Sequence, residues 1–121
     1  MRKLRGAMAV LVAGLLLMPG GKARAEYFET GRDLYKKCRD TGTASQVFCL
    51  GFIIGIADVM EDNPLDGRSA CIPREASIQQ VTEVVISFLE QNPDIREFTG
   101  ESLAVQALSE KYPCKKPKTL K

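Results

Sequence analysis

The sequence predicts an all-α fold, a small disulfide-stapled bundle of about four helices. Three observations predict it. Apolar residues recur with a helical period in four segments beyond residue 29, and no segment reads convincingly as a strand. Thr30, Ser77 and Thr99 each stand just before one of those segments, where an N-cap belongs. Four cysteines form an even set in a short chain that opens like a secreted protein.

The first element is an address. Met1–Gly6 is short and basic, Ala7–Met18 is an unbroken apolar run, and Pro19-Gly20-Gly21 breaks it. Ala23-Arg24-Ala25 then supplies the small-x-small pattern of a signal peptidase site. The run falls well short of the ~20 apolar residues that a membrane span needs. Residues 1–25 are therefore expected to be a secretory signal peptide, cleaved after Ala25, and the mature chain to begin at Glu26. The implied compartment is the bacterial periplasm or the outside of the cell, where disulfides form, and the periplasm is expected.

A first helix is expected over Gly31–Asp40, with Thr30 as its cap and Gly31, Leu34, Tyr35 and Cys38 on one side. Asp40-Thr41-Gly42-Thr43 is a turn. The second helix, Ala44–Glu61, is apolar nearly all the way round. Val47, Leu50, Ile53, Ile54, Ala57 and Met60 cover one side, and Phe48, Phe52, Ile56 and Val59 the other. Only the strip Gly51, Gly55, Asp58 and Asp62 is not apolar. Such a helix is either buried or has a face that awaits a partner. The glycine spacing favours close helix packing within the domain over a homodimer seam. Asp58 reads as a structural acid bonding the free N–H groups of a neighbouring helix.

Asn63–Glu75 is a long connection, with turn signals at Asn63-Pro64 and Asp66-Gly67, and Cys71-Ile72-Pro73 at its far end. Ser77 and Gln80 form a capping box for a third helix, whose arc is Ile78, Val81, Val84, Val85, Phe88 and Leu89. Asn92-Pro93 ends it. A polar connection, Asp94–Gly100, leads to a fourth helix over Gly100–Tyr112, capped by Thr99 and stopped by Pro113. Its stripe is Leu103, Ala104, Ala107, Leu108 and Tyr112. Lys115–Lys121 is expected to be a basic, flexible tail.

Cys38, Cys49, Cys71 and Cys114 are too widely spaced for a zinc site, so two disulfides are expected. Three connectivities are open. Cys38–Cys49 and Cys71–Cys114 is favoured, because it links two consecutive helices at their turn and ties the second half to the chain's end.

Charge and composition exclude much. The whole chain is formally +2, but both ends are basic: residues 26–114 hold 8 bases and 15 acids. An acidic body argues against nucleic acid or an anionic membrane as partner. The chain has no histidine, which removes Cys-His and Ser-His-Asp mechanisms and histidine-ligated metals. No GxGxxG, P-loop, HExxH or CxxCH is present. No enzyme activity, catalytic residue, metal or cofactor is expected.

Several pieces then occur in a telling order. They are Gly31-x-x-Leu34-x₃-Cys38, Cys49-x-Gly51-Phe52-Ile53-x-Gly55-x-x-Asp58, Cys71-Ile72-Pro73, the helix closing in Asn92-Pro93, and Ala107-Leu108 before Tyr112-Pro113-Cys114. Behind a signal peptide, the set resembles the Rap/Tai-type immunity proteins, periplasmic proteins that neutralise peptidoglycan amidase effectors delivered by type VI secretion. Phe52 departs from the tyrosine of that pattern, and the basic tail lies outside it. The resemblance implies a disulfide-stapled helical domain over 26–114, often a homodimer, that blocks the cleft of a cell-wall amidase without catalysis. It implies fold roles for Gly51, Gly55, Asp58, Pro73 and Pro113, and gives no effector-contact residues.

The sequence offers its own candidates for those contacts. An acidic plug suits a basic cleft, and Asp94, Arg96 and Glu97 of the last connection come first, Asp62, Asp66 and Arg68 of the long one second. The rival class is a small periplasmic chaperone or stress protein, exposing the second helix to unfolded clients.

Overall fold

A computed structural model describes residues 28–115. The expected signal peptide and residues 116–121 of the expected tail lie outside the described residues. Four helices form the domain: α1 (Gly31–Arg39), α2 (Thr43–Asp62), α3 (Ile78–Gln91) and α4 (Gly100–Lys111), with a 3₁₀ turn at Pro93–Ile95. Among the described residues there is no strand, only two isolated bridges, Thr30 with Thr99 and Leu65 with Arg68.

The helix starts follow from their caps. Thr30 Oγ1 accepts from the Asp33 N–H at 3.2 Å, and the Asp33 carboxylate accepts in return from the Thr30 N–H and hydroxyl. That bonding holds the Asp33 carboxyl below its usual range. Ser77 and Gln80 make the reciprocal pair for α3 at 3.1 and 2.8 Å, and Thr99 accepts from the Ser102 N–H for α4. α2 has Gly42 at its N-cap and no side-chain cap bond there. Asp40 lies just ahead of it, and bonds from the Ser45 hydroxyl and the Gly42 N–H hold its carboxyl low. Tyr112 caps α4, and Pro113 then has no N–H with which to extend it.

Each helix touches the other three. Leu34, Ile53, Met60, Val85, Leu89, Val105 and Leu108 are the largest fully buried side chains, so all four helices feed one core. Cys38 is bonded to Cys49, across the α1–α2 turn, and Cys71 to Cys114, which closes the long connection onto the end of α4. The Cys71 N–H also donates to the Tyr112 carbonyl at 2.8 Å.

The most enclosed helix is not the most apolar one. α4 buries six of its 12 residues, Gly100, Leu103, Ala104, Val105, Ala107 and Leu108, whereas α2 buries only four of 20, Cys49, Ile53, Ala57 and Met60. Small residues let α4 sit at the centre, where Gly100 comes within van der Waals reach of Leu34. α2 lies on the outside with one face in and one face out.

This arrangement corrects two expectations. Gly51 and Gly55 are exposed, and a side-chain carbon added at either meets nothing within 4 Å. They pack no helix of this domain. Asp58 is exposed on the same strip and bonds no neighbouring helix among the described residues. An all-round apolar helix does not declare its inner face, and burial is set here by Cys49, Ile53, Ala57 and Met60.

Candidate partner-binding surface

The candidate contact residues fall on the two connections that flank α3, except Asp62, which is the last residue of α2. Its 14 residues span about 20 Å at 1.5 Å each. Asp62, Asp66 and Arg68 lie before its start, and Asp94, Arg96 and Glu97 after its end. The structure therefore offers two surfaces and does not join the six residues into one.

The loop after α3 is tightly held. The first N–H groups of α1 have no helical acceptors of their own, and this loop supplies them: Gly31 N–H donates to Phe98 O at 2.8 Å and Arg32 N–H to Arg96 O at 2.9 Å. Gly100 N–H donates to Glu29 O at 2.9 Å, which fixes the other side. The close approach explains Gly31, where any side chain would run into Leu103 and lie 3.2 Å from the Arg96 backbone.

Arg96 is a clamp within the domain. Its Nε donates to the Leu89 carbonyl at 2.6 Å and its Nη2 to the Glu90 carbonyl at 3.2 Å. Its guanidinium lies 4.0 Å from the Tyr35 ring centre. A cation on the last carbonyls of a helix also meets the favourable end of its dipole. With its fork and its flat face both engaged, Arg96 is half-buried against the domain.

Asp94 and Glu97 remain exposed on that frame. Glu97 is paired with Arg32, and both side chains are largely exposed, so the pair is worth at most about 1 kcal/mol. Between Glu97 and the cap Thr99 stands Phe98, 62% exposed. The sequence reading missed it. Its place just before an N-cap is where an apolar residue ordinarily folds onto the helix as a staple, and here it points to solvent instead. The loop thus offers an aromatic side chain beside two carboxylates on a backbone that is already ordered.

The second loop carries a tight hairpin tip. Leu65 and Arg68 exchange backbone bonds at 2.9 and 2.8 Å around Asp66 and Gly67, whose φ values are 48° and 69°. Positive φ at both central positions makes a two-residue turn that suits Asp-Gly. Asp62, Asp66 and Arg68 are all exposed.

A third exposed feature is the outer face of α2. Val47, Phe48 and Val59 are 65%, 39% and 47% exposed and flank Gly51 and Gly55. Phe48 stacks on Phe52 at 5.7 Å, with Lys37 4.1 Å above its ring. By length and mean hydropathy α2 could cross a membrane, but its inner face is part of the shared core and Cys49 bonds it to α1.

Among the described residues no group of acids and cysteines could hold a metal ion, and none of the cysteines there is free.

Against known proteins, a family model described as Rap1a immunity proteins matches residues 30–114. No curated protein and no solved structure matches.

Proposed function

Since the chain belongs to the Rap1a immunity protein family, whose members are immunity proteins against a secreted effector, we propose that its own effector is a cell-wall amidase. In this reading the amidase is delivered by type VI secretion and the protein binds it in the periplasm, occludes its cleft and catalyses nothing. Residues 1–25 would export it, and its two disulfides suit an oxidising compartment.

The observation that carries the binding mode is the ordered loop with Asp94, Glu97 and Phe98 outward. An exposed aromatic on a preorganised backbone is the kind of anchor that dominates protein interfaces. Flanking carboxylates on an acidic body speed encounter with a basic cleft. The hairpin tip with Asp66 and Arg68, together with Asp62 at the end of α2, is the secondary contact. The test is titration of the oxidised mature chain into the type VI amidase of the same cell. Phe98→Ala should weaken binding at least about tenfold, a cost of about 1.4 kcal/mol. Asp94→Ala with Glu97→Ala should slow association, more so at low salt. Unchanged affinity and association rate in both variants would remove this loop from the interface.

The outer face of α2 supports a homodimer. Two open glycines between Val47, Phe48 and Val59 would let a second copy approach closely. Light scattering of wild type and Gly55→Leu distinguishes dimer from monomer. A chaperone would use this same face, and suppression of aggregation of unrelated clients at pH 2–3 or 7 would favour it.

A further inference from the structure

A groove of about 900 Å³ opens between α3 and α4. No residue of the Asp94–Thr99 loop or of the Asp66-Gly67 tip lines it. Val84, Phe88 and Tyr112 form its apolar floor; each is half-buried, packed on the core and lining the groove. Glu75, Glu83 and Glu110 also line it, and all three are exposed. Lys111 is the one base among the lining residues. The ion pairs among the described residues are Arg32 with Glu97 and Lys37 with Glu29, so none of the three carboxylates is neutralised there. Glu83 accepts from the Ser87 hydroxyl at 3.1 Å and Glu110 from the Gln106 amide at 2.9 Å, both uncharged donors.

The groove therefore makes two demands on an occupant. An acidic or neutral ligand would leave the three carboxylates uncompensated, and a purely polar one would leave the floor wet. A ligand that carries cations and apolar side chains together meets both. The length of the groove sets its form. Gln80 and Gln91 line the groove, and α3 covers about 17 Å between them. That is room for about five residues of extended chain. Alternate side chains of such a segment point to opposite sides. Apolar ones can lie on the floor while the long stems of lysine or arginine carry their charge to the acidic rim.

We propose that the α3–α4 groove docks an extended basic segment of a partner protein, about five residues long, in which lysine or arginine alternates with apolar residues. The apolar side chains lie on Val84, Phe88 and Tyr112, and the cations meet Glu75, Glu83 and Glu110. The site is separate from the Phe98 loop, so the inference is independent of the effector's identity.

The test uses the oxidised, ¹⁵N-labelled chain from Glu26 to Lys121 and three synthetic peptides, each acetylated and amidated: Lys-Leu-Lys-Leu-Lys, Lys-Gly-Lys-Gly-Lys and Glu-Leu-Glu-Leu-Glu. The first should give saturable amide shifts centred on Val84, Phe88, Glu110 and Tyr112, half-complete at or below about 1 mM. The second lacks the apolar contacts and the third reverses the charge, and each should bind at least about tenfold more weakly. E75Q/E83Q/E110Q, all at exposed positions, should weaken the first peptide at least about threefold. Raising salt from about 0.05 M to about 0.5 M should do the same. No saturable shift up to about 5 mM peptide would overturn the proposal, being far too weak for a docking site. Shifts centred on Asp62, Asp66 or Asp94, equal binding of the glutamate peptide, or unchanged affinity in the triple variant would overturn it as well.

Discussion

Arg96→Ala separates a clamp from a contact. Arg96 makes two hydrogen bonds to the carbonyls that end α3 and stacks on Tyr35. Bonds from a charged donor contribute about 1.5–3 kcal/mol when enclosed, and the half-exposed setting places each nearer about 1 kcal/mol. The stacked cation adds roughly 0.5–1 kcal/mol. The variant should therefore lose about 2–3 kcal/mol. For a domain of this size that lowers Tm by roughly 8–24 °C. Arg96→Lys should recover less than half, because an ammonium has neither the fork nor the flat face. Denaturant unfolding of oxidised protein measures the loss, and effector affinity is measured at a temperature where the variant is folded. Stability within about 0.5 kcal/mol of wild type together with a tenfold loss of affinity would refute the reasoning and return Arg96 to the interface.

Other outcomes follow from the same structure. Gly31→Ala should destabilise by about 1–3 kcal/mol, since Leu103 is buried and the Arg96 backbone is close. Gly55→Ala should stabilise the monomer by about 1 kcal/mol, because the position is helical and open; equal effects at the two glycines would contradict this packing. Cys71→Ala with Cys114→Ala should cost about 4 kcal/mol by opening a loop of separation 43 while removing little packing, both residues being exposed; a loss below about 1 kcal/mol would show that the bond is not formed. The lowered carboxyls of Asp33 and Asp40 stabilise the fold above the usual value of 3.8, and that contribution disappears as pH falls through their folded values. With no histidine to titrate, Tm should stay flat from about pH 8 to 5 and fall only below about pH 4; a transition near pH 6 would contradict this.

The helices were legible because their signals are local. Thr30, Ser77 and Thr99 cap the helices expected to follow them, and every expected boundary lies within about two residues of the observed one. The Asp66-Gly67 turn was legible for the same reason, though not the hairpin bonds around it. What could not be read depends on distant packing. Arg96 looks like any loop charge until the carbonyls of Leu89 and Glu90 and the ring of Tyr35 are brought to it. Phe98 occupies a staple position, and it faces out because backbone bonds such as Gly31–Phe98 and Arg32–Arg96, together with the Arg96 clamp, hold its loop. The second helix has apolar residues on every side, so its sequence leaves the direction of Gly51, Gly55 and Asp58 undecided. Small residues made α4 the central helix, and amphipathic patterning ranks such a segment low.

The proposed inhibition of an amidase by occupation of its cleft has a direct readout. The most direct measurement is peptidoglycan amidase activity of the type VI effector from the same cell, titrated with oxidised protein from residue 26. Stoichiometric loss of activity is expected, with Phe98→Ala shifting the titration at least about tenfold. Full activity at saturating protein would contradict it.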